Sequence, residues 1–187
     1  MSSDPLLRDT SVESNEKVCY EPRSGPLDGT TQDYLIYFIT GNPGLISYYQ
    51  PFLSRLHDLL ERSSATESAR FHICGHSFRG MEMTETGGHD KPPASPLSLE
   101  QQIHWQDDLL YRHVNSHRER TGNNPKVILM GHSVGSYILL ELIRRHRDRI
   151  VDGEKDFDLI GGVLLFPTIT HIAQSPLGMV ASVSCEL

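Results

Sequence analysis

Five residues, Gly131-His-Ser-Val-Gly135, constrain this chain more than any others. A short apolar strand, Val127–Met130, runs into them, and a helix carrying Tyr137, Ile138, Leu140, Leu142 and Ile143 leaves them. A strand that reverses into a helix through one residue needs small neighbours on both sides, because the turn is too tight for a Cβ there. Gly131 and Gly135 supply that room. The turn lifts Ser133 above the C-terminal edge of a sheet and aims the first amides of the helix at it, which suits a nucleophile whose reaction develops negative charge. Ser133 is therefore the candidate nucleophile, and the amide of Val134 the first candidate oxyanion donor. His132 is next to the serine but is directed away from its hydroxyl by the turn. Its expected role is packing or tuning rather than general base.

A second loop fits the same chemistry. Tyr34-Leu-Ile-Tyr-Phe-Ile39 is a continuous apolar run, as in a strand buried on both faces. It ends in Gly41-Asn-Pro-Gly44. Pro43 has no N–H, so Asn42 is the candidate second oxyanion donor. Gly41 permits close backbone approach, and Gly44 completes the turn.

Other segments alternate between the two periods. Residues 48–60 carry Tyr49, Phe52, Leu53, Leu56, Leu59 and Leu60 at helical spacing, with Ser47 as the expected N-cap. A strand is expected at Arg70–Cys74, and a helix over 98–114 with Leu99, Ile103, Leu110 and Val114 on its apolar stripe, interrupted by Gln106 and Asp107. A further strand is expected at Gly161–Phe166. Strands alternating with helices imply an α/β fold with a mostly parallel sheet and helices on both faces, of the α/β-hydrolase type. Gly75-His-Ser-Phe-Arg-Gly80 imitates the serine motif with one residue too many, so Ser77 is read as a loop residue. The long stretch 75–97 reads as a loop.

Composition narrows the partners. The net charge of −7 argues against nucleic acid. Cys19, Cys74 and Cys185 are an odd number with no metal-ligand spacing, as expected of free thiols in a reducing compartment. No metal or cofactor is expected. Residues 1–30 are polar and expected to be mostly disordered, with a short strand near Val18–Tyr20 and no signal peptide. No stretch approaches the ~20 apolar residues of a membrane span. The basic run Arg144–Arg147 closes a helix, where cations suit the dipole.

Three segments carry a resemblance: Phe-Ile-Thr-Gly-Asn-Pro-Gly-Leu-Ile-Ser-Tyr-Tyr (38–49), Gly-His-Ser-Val-Gly-Ser-Tyr (131–137), and Leu-Leu-Phe-Pro-Thr-Ile (164–169) with Ser-Pro-Leu-Gly (175–178). Together they resemble the lipid droplet-associated hydrolase family. The resemblance implies a serine esterase-like protein at the lipid droplet surface and endoplasmic reticulum, on the cytosolic side, acting on neutral lipid or sterol esters in lipid storage and turnover. Ser133 matches the family's nucleophile. On this reading residues 31–178 are a partial hydrolase domain, lacking its C-terminal strands, and 179–187 are a divergent tail. The edge near Val163–Phe166 is then expected to be exposed.

An α/β-hydrolase triad runs Ser, then Asp or Glu, then His along the chain. After Ser133 there are Asp148, Asp152, Glu154, Asp156 and Asp158, which fall at the wrong end of the sheet, and then only His171 and Glu186. Two functional readings follow. One is a serine hydrolase of lipid esters. The other is a catalytically impaired droplet protein that uses the same fold for binding or scaffolding, its groove holding acyl chains. Oligomeric state is not legible.

Overall fold

The structure is a computed structural model that describes residues 16–22, 31–63, 69–81, 97–153 and 157–169. Its elements in chain order are β1 (Lys17–Tyr20), β2 (Gln32–Ile39), a one-turn 3-10 helix (Ile46–Tyr49), α1 (Gln50–Arg62), β3 (Ala69–His76), α2 (Leu99–Thr121), β4 (Lys126–His132), α3 (Val134–Val151) and β5 (Asp158–Leu165). The sheet order is β1-β3-β2-β4-β5. All neighbours run parallel except β1, which pairs antiparallel with β3. The strand expected near Val18–Tyr20 is β1, so the first 30 residues supply an edge of the sheet.

β2 and β4 are central, and their composition explains why. Both faces of each are covered, so alternate residues enter two separate cores. Leu35, Tyr37 and Ile39 join Leu129, Leu110, Val114, Ile138 and Leu142 beneath α2 and α3. Ile36 and Phe38 join Ile73, Met130 and Leu53 beneath α1. Each of these large side chains contributes roughly 1.5–3 kcal/mol on burial. The fold is the α/β-hydrolase type that the motif order implied. The edge strand β5 exposes Ile160, Val163 and Leu164, as expected for the segment near Val163–Phe166.

Three local expectations are corrected. Ser47 does not cap α1: residues 46–49 form the 3-10 turn, Tyr49 is the N-cap, and Pro51 occupies the first turn. Phe52 and Leu59 are exposed rather than core, because α1 buries a narrow face centred on Leu53. Leu99 likewise lies exposed at the start of α2, whose N-terminus is fixed by a capping box between Ser98 and Gln101. The polar residues that interrupt the α2 stripe are buried and partnered. Tyr37 donates its hydroxyl to Gln106 Oε1 at 2.7 Å, and Asp107 pairs with Arg149 of α3. Ser77 is structural, its hydroxyl accepting the Ile46 amide at 3.0 Å.

Candidate active site

Ser133 stands alone between β4 and α3, with φ 52° and ψ −122°. A non-glycine residue at positive φ is strained by about 1–3 kcal/mol and persists only where its surroundings hold it. Three backbone hydrogen bonds do so here. The Ser133 amide donates to the Leu165 carbonyl at 3.0 Å, and the Ser133 carbonyl accepts from the Ser136 amide at 3.0 Å and the Thr168 amide at 3.2 Å. The end of β5 and the residues after it therefore clamp the turn. Ser136 Oγ donates to the Gly131 carbonyl at 2.8 Å, bracing the first turn of α3.

Both motif glycines are required by contact. A Cβ on Gly131 would meet the Gly135 carbonyl oxygen at 2.5 Å, and one on Gly135 would overlap the carbonyl oxygens of Ile39 and Thr40. The start of α3 thus rests on the end of β2. That contact brings the Gly41–Gly44 loop to the serine: a Cβ on Gly41 would lie 2.9 Å from Ser133 Cβ. Gly44, at φ 86°, turns the loop over the Phe78 ring and lies away from the serine. The Asn42–Pro43 peptide is cis.

Tyr49 ties the loop to the elbow. Its hydroxyl accepts the Gly41 amide at 3.1 Å and lies 2.9 Å from His132 Nδ1. With the Gly41 amide engaged, the exposed Asn42 amide is the next donor in the loop and makes no hydrogen bond to another described residue. The Val134 amide, in the first turn of α3, has no carbonyl one turn earlier to bond. Gly41 therefore lies against Ser133, Gly131 against Gly135, and Gly44 against Phe78. Tyr49→Phe is expected to cost about 1–2 kcal/mol, since the buried Gly41 N–H loses its acceptor. Thermal unfolding of the variant beside the wild type checks this.

Ser133 Oγ lies 3.1 Å from Thr168 Oγ1. His132 turns toward Tyr49 and packs edge-on against Phe166, so it is not aimed at the serine hydroxyl. Asp148 pairs with Arg144 and Arg147, and Asp158 begins β5 at the end of the sheet remote from Ser133. Glu154, Asp156, His171, Ser175–Gly178 and Glu186 lie outside the described residues, as does Cys185. Sequence reasoning missed Tyr49 and Thr168 as site residues, although both fall within the segments that carried the resemblance.

A family model for lipid-droplet associated hydrolases matches residues 32–186. The chain belongs to the lipid-droplet associated hydrolase family. The protein named lipid droplet-associated hydrolase in Pongo abelii is 30% identical over 150 residues, covering 79% of this chain and 42% of that protein. The Gallus gallus protein of the same name is 27% identical over 162 residues, covering 82% of this chain and 43% of that one. The chain thus spans less than half the length of these lipid droplet-associated hydrolases. Among solved structures, esterase B from Lactobacillus rhamnosis, inhibited by a tributyrin phosphonate, superposes with a TM-score of 0.53 at 14% identity. That match covers 89% of this chain and 54% of the esterase, and supports the α/β fold of this member of the lipid-droplet associated hydrolase family. No helix among the described residues is long and apolar enough to cross a membrane.

Proposed function

We propose that this chain carries the nucleophile of a serine hydrolase that acts on carboxylic esters of lipids at the lipid droplet surface, in lipid storage and turnover. The observation that carries this reading is the strained Ser133 at the mouth of α3 with the Gly41 loop packed against its Cβ. In the reaction, Ser133 Oγ attacks the acyl carbonyl, its proton passing to a general base. The carbonyl oxygen becomes an oxyanion that the amides of Asn42 and Val134 stabilise by donating to it. The alcohol then leaves, and water releases the fatty acid from the serine. A peripheral location at droplets and the adjoining endoplasmic reticulum, on the cytosolic side, belongs to the same reading.

A second reading rests on one observation: the described partner of Ser133 Oγ is a threonine hydroxyl, not an imidazole. A serine without a base keeps an ordinary, weakly nucleophilic hydroxyl. The chain would then serve as a droplet-associated binding or scaffold protein. A fluorophosphonate probe separates the two. Labelling of the folded chain that disappears in Ser133→Ala supports the hydrolase. Equal labelling of the two proteins removes Ser133 from the chemistry, and absence of labelling in folded wild type favours the second reading.

A further inference from the structure

The face of an α/β sheet beneath a helix is ordinarily apolar. Under the C-terminal half of α2 it is not. Period-two alternation puts Lys17, Cys19, His72, Cys74, His76 and Asp33 of β1, β3 and β2 on the α2 face, where His113 and His117 descend from the helix. A cavity of about 310 Å³ opens among these groups, lined by Cys19, Glu21, His72, His113, His117 and Arg120 with their neighbours.

Within this patch Asp33, His72 and His117 are 1%, 5% and 3% exposed. One ligand atom of each lies within 4.8 Å of the other two. His72 Nδ1 is 2.7 Å from Glu21 Oε2, a carboxylate oxygen that accepts, so that nitrogen carries a proton. That Nε2 is 3.7 Å from Asp33 Oδ1, itself an acceptor, and has no hydrogen-bond partner. His117 Nε2 is 3.3 Å from Asp33 Oδ2, and its Nδ1 is unpartnered. His72 Nε2 is thus a buried nitrogen that faces the carboxylate with no hydrogen-bond partner, which is costly unless something binds it; the unpartnered nitrogen of His117, Nδ1, is not the one that meets Asp33.

The His117 Nε2–Asp33 Oδ2 separation, 3.3 Å, is that of two ligands on one metal. Ligand atoms about 2.0–2.2 Å from a tetrahedral zinc ion stand about 3.3–3.5 Å apart. Arg70 Nε donates to Oδ1 at 2.8 Å, and Nη2 makes an ion pair with the same oxygen at 2.7 Å, which leaves Oδ2 toward His117. Glu21 orients His72 as a carboxylate does behind a metal-bound imidazole. We propose that Asp33, His72 and His117 bind a divalent transition ion of the zinc type, with remaining coordination positions open to the cavity. The site is separate from the Ser133 elbow: β1 and β3 lie on the far side of β2 from β4. The guanidinium groups of Arg70 and Arg120 oppose a dication, so binding is weaker than at a thiolate-rich structural site.

The test is a Co²⁺ titration of the metal-stripped 187-residue chain, read by visible absorption. One ion is expected to bind, giving d–d bands with no sulfur-to-cobalt charge-transfer band. His72→Gln and His117→Gln are each expected to weaken binding at least about tenfold, and Glu21→Gln about 10- to 100-fold. Cys74→Ser is expected to leave binding unchanged. Circular dichroism of each metal-free variant establishes that it is folded. If a histidine variant unfolds, Glu21→Gln decides, because that side chain is partly exposed. A charge-transfer band, loss of binding in Cys74→Ser, unchanged affinity in Glu21→Gln, or no saturable binding by folded wild type would overturn the assignment.

Discussion

Gly135→Ala is expected to destabilise the fold by at least about 3 kcal/mol, the upper part of the range for overpacking a core. The reason is what the new methyl meets. It overlaps the carbonyl oxygens of Ile39 and Thr40, which are backbone atoms and cannot rotate aside. Ile39 is paired with both His76 and Gly131 in the centre of the sheet. Relief therefore requires α3 to lift from β2, which would also carry Ser133 away from the Gly41 loop. Gly161→Ala is the control, since a Cβ there meets nothing within 4 Å, and it is expected to stay within about 0.5 kcal/mol of wild type. In a domain of this size the Gly135 effect corresponds to roughly 6–12 °C in Tm. A Gly135→Ala variant melting with the wild type would show that the elbow is not packed as described.

The same contact explains why this part of the molecule was legible from sequence. The elbow is local: strand, turn, two obligatory glycines and helix follow one another within a few residues, and each has its own signature. The central strands were legible for a related reason. A run such as Tyr34–Ile39, apolar at every position, is tolerated only where both faces are covered. The start of α1 was not legible, because Ser47 is a good cap in isolation but the chain spends residues 46–49 on a 3-10 turn first. Nor was the burial of Gln106 and Asp107. Their partners, Tyr37 and Arg149, lie 69 and 42 residues away, and only the packing of α2 across the sheet brings them together.

The candidate site divides along the same line. Gly131, Gly135 and Gly41 each lie in a contact with the elbow or the end of β2 that leaves no room for a Cβ, which their motifs signal locally. Tyr49 and Thr168 act through side-chain bonds to residues distant in sequence, which no spacing rule encodes. The patch beneath α2 is the extreme case. Its histidines, cysteines and carboxylates come from separate elements, so no sequence spacing could show that they meet. The register of β1, β3 and β2 is what assembles them.

That patch is also expected to make the fold less stable as the pH falls through the ordinary histidine range. His76 Nε2 lies 2.8 Å from His113 Nε2, so at least one of the two facing nitrogens is unprotonated, and a second charge on the pair is opposed. Burial is the main cause, with charge from the His113 ring, Lys17 and Arg112 added at His76, holding His76 at about 3. Burial and Lys17, opposed by Glu21, hold His113 at about 4. Unfolding restores both to near 6.5, so between pH 6.5 and about 4 the unfolded chain binds more protons than the folded one. Stability is then full above pH 6.5 and falls as the pH drops through that window. Glu21 acts lower: burial would raise its carboxyl, but hydrogen bonds from His72 and Arg120 hold it at about 2, a contribution lost only below 4.5. From the two rings alone, partly screened, the loss at pH 5 is roughly 2–4 kcal/mol. Urea unfolding at pH 7, 6 and 5, with chelator present, measures it. His113→Gln, which keeps a hydrogen-bonding side chain but cannot be protonated, is expected to remove about half of the pH slope. Stability that does not change between pH 7 and pH 5, or a slope that survives His113→Gln, would mean that the pair is not neutral in the folded chain.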